Sequence, residues 1–297
     1  MADHQSPRHL PIILAAGVVA VSLSAIFIRL ADAPGVVVAL HRMVIASLVI
    51  APWTIRALAA TPLTKRNSGY AVLAGILLGA HFATWISSLS YTTVAASVTL
   101  VTTIPLWMAL MSWLFLRIAP SFAVIVGVMI AVLGGALIGF GGEGEAAGTA
   151  PLVGNGLALA GAVFASGYLL LGRAAQRRGL SLQAYIGVAY AVAALTLAPL
   201  PLIFGFTYLG YAPEAFIWIA LLALVPQLIG HTSYNYAMRH LDPTLVATLT
   251  LLEPVGATLL ALALFAEVPP VLTIFGAAIV LLGVALTIKH SRVPSSP

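Results

Sequence analysis

Two short polar stripes stand out in an otherwise oily chain. His81, Trp85 and Ser88 recur at i, i+4 and i+7, and Gln227, His231, Tyr234 and Asn235 keep the same spacing. On a helix each set shares one face. Thr99, Thr102, Thr103 and Trp107 surround Pro105, and Tyr168 adds a further phenol. Arg42 and Glu253 are charges set among apolar residues, and Glu253 is followed by Pro254. These side chains hold solutes rather than break bonds. Aromatic faces take flat apolar groups, and Thr, Asn, Gln and His meet amino or carboxyl groups by hydrogen bonds.

Bond-breaking chemistry finds little support. The glycines of "GGEGEAAGTAP" (141–151) lack a following Lys-Ser/Thr and a preceding strand, so they form no phosphate loop. No His-Glu-x-x-His occurs, no Asp lies within an apolar segment, and Ser166 has no Gly-x-Ser-Gly around it. The chain has no Cys, which removes disulfides and thiol chemistry. No cofactor, metal site or enzyme activity is expected.

The stripes must be positioned by membrane helices. Of the 297 residues 61% are hydrophobic and only 7% charged, whereas a soluble surface needs roughly a quarter charged. The net charge of +5 is spread singly or in pairs, so it does not point to nucleic acid. A spanning helix needs about 20 apolar residues. Ten segments qualify: 10–30, 35–58, 69–90, 93–116, 120–140, 152–172, 180–204, 213–236, 242–265 and 269–288. The expected class is an all-α membrane protein. Pro34, Pro120, Pro213, Pro243 and Pro269-Pro270 mark helix starts. The first apolar stretch is too long for a signal peptide and reads as an uncleaved helix. Trp53, Trp113 and Trp218 read as interface anchors.

Basic residues orient the bundle. With the N-terminus inside, the inner loops and helix ends receive Arg8, Arg56, Lys65, Arg66, Arg117, Arg173, Arg177, Arg178, Arg239, Lys289 and Arg292, while the outer side receives Arg29. Both termini are therefore expected in the cytoplasm of a bacterial inner membrane, with the 141–151 linker in the periplasm.

The chain also repeats itself. "TLVTTIPLWMAL" (99–110) aligns with "TLTLLEPVGATL" (248–259) at an offset of 149. The same offset pairs Pro105 with Pro254, Pro120 with Pro269, Gly127 with Gly276, and "LGGAL" (133–137) with "LGVAL" (282–286). "ASLVIAPW" (46–53) resembles "AALTLAPL" (193–200) with a two-residue shift. Residues 1–140 thus hold one five-helix repeat and 152–297 the other, joined by 141–151. Five is odd, so the second copy crosses the membrane inverted. Inverted repeats are the architecture of alternating-access transporters, with the site near the midplane.

The pattern resembles the drug/metabolite transporter superfamily, in particular its ten-helix EamA-type bacterial members. The most family-like stretches are "YAMRHLDPTLVATLTLLEPVGATLLALALFAEVPP" (236–270) and "LSYTTVAASVTLVTTIPLWMALMSWLFLRIAP" (89–120). Glu267 matches an acid that members often carry after the ninth helix, while Ile118 stands at the equivalent place in the first copy. The resemblance implies export of small metabolites. It is similar to the aromatic amino acid exporters of that family, so an amino acid is the expected substrate, with protons as a candidate coupling ion. A channel-like facilitator and a lipophilic-cation exporter are the alternatives.

The third and eighth helices are repeat mates, so their stripes are expected to form two walls of one nearly uncharged cavity. The bland alternative is that each polar residue only bridges helices, for about 1 kcal/mol or less. Gly75 with Gly79 and Gly135 with Gly139 read as close-packing pairs. Pro105 and Pro254 are expected to bend their helices at mid-depth. An acid at mid-helix costs about 2.5–3.5 kcal/mol, so Glu253 is expected to face the interior and pair with His81 or Arg42, acting in gating or coupling.

Overall fold

The computed structural model describes residues 7–88, 91–92, 94–140, 149–265 and 268–291. Among them every regular element is helical. Nine helices are long and apolar enough to cross a membrane, and a tenth, shorter apolar helix covers Phe122–Ile138. Glu267, Arg292 and residues 141–148 of the linker lie outside the described residues.

The ten spans follow the hydropathy closely. They are Leu10–Ala31, Gly35–Ala60, Lys65–Ser88, Val94–Leu116, Phe122–Phe140, Pro151–Arg177, Leu182–Ile203, Pro213–Ala237, Pro243–Phe265 and Val271–His290. Short links make successive spans antiparallel. One end of the bundle therefore carries the chain termini and the other carries the linker. Exposed Leu48, Ile55, Leu195, Phe122 and Phe275 form an outer apolar coat, as lipid contact requires. Trp53 and Trp113 are exposed, while Trp218 stacks on Phe27 at 5.9 Å.

Packing follows a pseudo-two-fold scheme. The third span packs on the sixth and seventh, and its mate the eighth packs on the first and second. The second and seventh spans are mates that touch each other, as are the fourth and ninth and the fifth and tenth. The fifth–tenth crossing is made by four glycines. A Cβ at Gly134 would lie 2.7 Å from the Gly276 oxygen, and one at Gly283 would lie 2.6 Å from the Gly127 oxygen. Both contacts are too tight for any side chain, so the backbones meet directly.

That crossing corrects one expectation. Gly135 is not a contact glycine: a Cβ there would stand 3.5 Å from Leu251 and 3.8 Å from Thr102. Its neighbour Gly134 makes the approach. Gly75 and Gly79 do pack closely, against Ala189, Val192 and Thr196 of the seventh span.

Three spans are interrupted at depth. The first breaks at Leu23, between Leu10–Ser22 and Ser24–Ala31. The fourth breaks between Val94–Val101 and Ile104–Leu116, and the ninth between Pro243–Leu249 and Leu252–Phe265. The expected simple proline bends are therefore helix breaks. Pro105 and Pro254 lie in the first turn of a half-helix, where backbone N–H groups have no intrahelical partner in any case. The eighth span contains a π-helical stretch, Ala223–His231, with Pro226 inside it.

Candidate functional site

A cavity of about 300 Å³ lies where these breaks converge. The first span contributes Ser24, the second Arg42, and the third His81, Phe82 and Trp85. The fourth brings Thr102 and Ile104, the sixth Tyr168, and the eighth His231 and Tyr234. Thr250, Glu253, Pro254 and Thr258 come from the ninth. All three interrupted spans thus present their broken turns to the same space. Broken helices of this kind put helix termini and spare backbone groups where a solute can meet them.

Glu253 gains from this geometry. It sits in the first turn of Leu252–Phe265, not in mid-helix as its sequence position suggested. A carboxylate at a helix N-terminus is favoured by the aligned peptide dipoles, by about 0.3–1 kcal/mol. Arg42 is buried, its Nε donates to Gln227 Oε1 at 2.8 Å, and its guanidinium lies 4.5 Å over the Phe82 ring. No hydrogen bond joins Glu253 to Arg42 or His81 among the described residues. The cavity therefore holds one cation and one carboxylate, each facing the shared space, and the expectation of a nearly uncharged site is revised.

The rings form a ladder. His81 stacks on Trp85 with centroids 6.0 Å apart and an 11° interplanar angle. Phe82 meets His231 edge-on at 5.9 Å. His81 Nδ1 bonds the Gly161 carbonyl at 2.9 Å; a carbonyl only accepts, so Nδ1 carries a proton. Arg42 Nη2, Trp85 Nε1 and Tyr234 OH are buried and make no hydrogen bond. Buried polar atoms are nearly always paired, so three unpaired donors on cavity-lining residues mark a place where an acceptor would be welcome.

Other residues singled out in the sequence stand behind this lining. Ser88 bonds Ser97 at 2.6 Å. Thr103 accepts from the Trp107 indole at 3.2 Å and donates to the Leu100 carbonyl at 2.6 Å. Thr99 Oγ1 is buried without a partner, and Pro105 is buried. Gln227 orients Arg42. Asn235 Nδ2 donates to the Tyr168 hydroxyl and, at 2.8 Å, to the His231 carbonyl.

The same division of the chain appears in comparison with known proteins. The profile of the EamA-like transporter family matches residues 10–140 and again 152–289. This chain belongs to that family. A solved structure described only as the crystal structure of a protein is similar to this EamA-like transporter with a TM-score of 0.81. It shares 18% identity, covering 96% of this chain and 98% of its own, so the likeness shows the fold. No curated protein matches the chain.

Several residues of this EamA-like transporter were not singled out in the sequence. Phe82 lies under Arg42, and its place beside His81 on a polar stripe was the available signal. Tyr185 and Tyr190 of the seventh span are fully buried. Tyr185 donates to the Tyr168 carbonyl at 3.3 Å, and Tyr190 shares a hydrogen bond with Thr232 at 3.2 Å. Two phenols in an Ala-rich span were the signal for them. A second hollow of about 330 Å³ lies between Leu106, Trp113 and Val124. It is almost wholly apolar and has nothing to orient a polar solute.

Proposed function

We propose that this transporter exports zwitterionic amino acids, aromatic or mid-sized and neutral, by alternating access through the cavity. The observation that supports this most is the pairing of Arg42 and Glu253 around one aromatic space. Arg42, Trp85 and Tyr234 supply donors for a carboxylate, Glu253 accepts from an ammonium, and Trp85, Phe82 and Tyr168 take the side chain. At about 300 Å³ the space is at the small end of ligand pockets, which suits a single amino acid.

In this proposal the termini are cytoplasmic and the 141–151 linker is periplasmic in a bacterial inner membrane, because the basic residues gather at the end carrying the termini. The two repeats, 1–140 and 152–297, rock against each other. Protons are the proposed coupling ion, with Glu253 as carrier.

Proteoliposome uptake with the twenty amino acids, with and without a pH gradient, tests the reading. Saturation, counterflow and preference for aromatic or neutral substrates are expected. Linear flux without counterflow would favour a channel. Equal transport of lipophilic amines lacking a carboxylate would remove the role given to Arg42. Reporters fused after Ser291 and in the linker test the orientation, and a periplasmic signal at Ser291 would overturn it.

A further inference from the structure

Arg173 lies outside the cavity, yet it is the largest fully buried side chain among the described residues. Its Nε, Nη1 and Nη2 all lack a hydrogen bond. A buried charge without partners is strongly disfavoured, so a chain that keeps one uses it in another state or with another molecule.

Its position suggests the use. Ala165 and Leu169 line the cavity, and Arg173 is the next residue of the same i, i+4, i+8 stripe on the sixth span. It therefore stands about 6 Å along the helix axis beyond Leu169, toward the end that carries the termini. Beside Arg173, one turn further along the same helix, begins a polar cluster. Gln176 donates to the Asn235 carbonyl at 3.1 Å, and Asn235 in turn holds the Tyr168 hydroxyl. Gln176 Oε1 and Asn235 Oδ1 are also buried and unpartnered. Among the described residues the carboxylate that acts on Arg173 is Asp242, and it is committed to capping the ninth span, accepting from Thr244 N at 2.8 Å and Leu245 N at 3.3 Å.

We propose that Arg173 is a second carboxylate-binding residue, met before Arg42 by a substrate arriving from the side of the termini. In this state Arg173 is buried and unpaired. Opening toward the termini brings it to water and to the carboxylate of an incoming amino acid, whose binding repays the burial of the charge. The spare Gln176 and Asn235 oxygens, likewise buried and unpartnered, suit the ammonium of that molecule. This inference rests on the amino acid reading above.

The test is sided transport of L-phenylalanine in oriented proteoliposomes. Arg173→Gln is expected to raise KM for substrate presented on the face carrying the termini by about tenfold, the size of a lost charge-assisted hydrogen bond. KM on the linker face is expected to stay within about twofold of wild type, as a residue outside that path requires. A merely structural arginine would not give this sidedness. Arg173→Lys keeps the charge and is expected to restore most of the loss. Gln176→Glu places a competing carboxylate beside Arg173 and is expected to raise KM on the same face, a readout that survives if Arg173→Gln folds poorly. Unchanged KM on the face carrying the termini in Gln176→Glu, or equal changes on both faces in Arg173→Gln, would overturn the inference while wild-type transport leaves the functional reading intact. A wild-type protein that moves no L-phenylalanine would overturn both.

Discussion

Offset by 149 residues, the third and eighth spans are one element built twice with different side chains. The third is regular α-helix throughout Lys65–Ser88. The eighth widens into a π-helix at Ala223–His231, where Pro226 stands in place of Leu77. Phe82 corresponds to His231, and the two mates touch edge-on. Trp85 corresponds to Tyr234, and both line the cavity. Gln227, which fixes Arg42, corresponds to plain Leu78. π-Bulges gather at functional sites because they re-aim side chains without ending the helix. Here the wider turn belongs to the copy that bears the arginine's partner.

The same contrast runs through the other mates. Features of architecture occur in both copies: the Gly127/Gly276 and Gly134/Gly283 pairs, the breaks of the fourth and ninth spans, and the prolines that follow them. Features of charge occur once. Arg42 corresponds to Ala189 at the two-residue shift, and Glu253 to Ile104. Shared residues hold the bundle together, and in the function proposed above the unshared residues select what passes through it.

The first prediction tests the architectural half and has the largest expected effect. Gly134→Leu or Gly283→Leu drives a side chain into the opposing backbone of the fifth–tenth crossing. Overpacking costs about 1–3 kcal/mol and more where backbone is struck. Loss of monodisperse protein in size-exclusion chromatography is expected for both. Gly135→Ala, one residue away and in open contact, is expected to purify normally. Equal damage at 134 and 135 would break the distinction.

The next prediction concerns charge. Arg42→Gln keeps a donor near Gln227 but removes the cation. Transport of a carboxylate-bearing substrate is expected to fall about 10- to 100-fold, matching roughly 1.5–3 kcal/mol for a hydrogen bond to a charged group, with yield within about twofold of wild type. An equal loss for an amine without a carboxylate would mean that Arg42 is structural.

A smaller effect is expected at Glu253. Glu253→Gln keeps shape and hydrogen bonding and removes titration. It should purify like wild type, slow transport about tenfold or less, and flatten the dependence of transport on a pH gradient, in line with loss of one charge contact. Wild-type rates at every pH would make the carboxylate a tie between helices.

How much of this was legible in the sequence depends on how local the cause was. Span existence and order were legible because hydropathy acts over about 20 residues at a time, and the repeat was legible because glycines and prolines kept one offset. The helix breaks were not, since a proline alone permits either a kink or a break. Gly134 was not separable from Gly135, because which of two adjacent glycines faces the partner is decided by the crossing itself. The site was partly legible: His81, Trp85, Tyr168, His231, Tyr234, Arg42 and Glu253 line one cavity. The Arg42–Gln227 tie joins residues 185 apart, and no local pattern announces it.

The smallest effect is expected at the shared prolines. A mid-helix proline removes a hydrogen bond and strains its neighbours by about 3 kcal/mol, which would make Pro→Ala a large gain in stability. Pro105 and Pro254 are not in mid-helix. Each follows a tight turn in which Thr103 N bonds Leu100 O at 3.2 Å, or Leu251 N bonds Thr248 O and Glu253 N bonds Thr250 O at 3.1 and 3.0 Å. Threonine hydroxyls take further carbonyls: Thr103 bonds Leu100 O, and Thr250 bonds Ala247 O at 2.7 Å. The backbone is thus largely satisfied without a proline N–H. Pro105→Ala and Pro254→Ala should therefore shift stability by about 1 kcal/mol or less, seen as a small change in thermal midpoint. What alanine does restore is the option of an i→i−4 bond across the break. The ninth span then has a continuous helical state to compete with the broken one, and Glu253 would lose its place at a helix start. Pro254→Ala is accordingly expected to slow transport by about threefold through that lost preference. Pro105→Ala, whose neighbour Ile104 carries no charge, should change it less. Equal effects at the two positions would mean that the break itself, and not the carboxylate it displays, sets the rate.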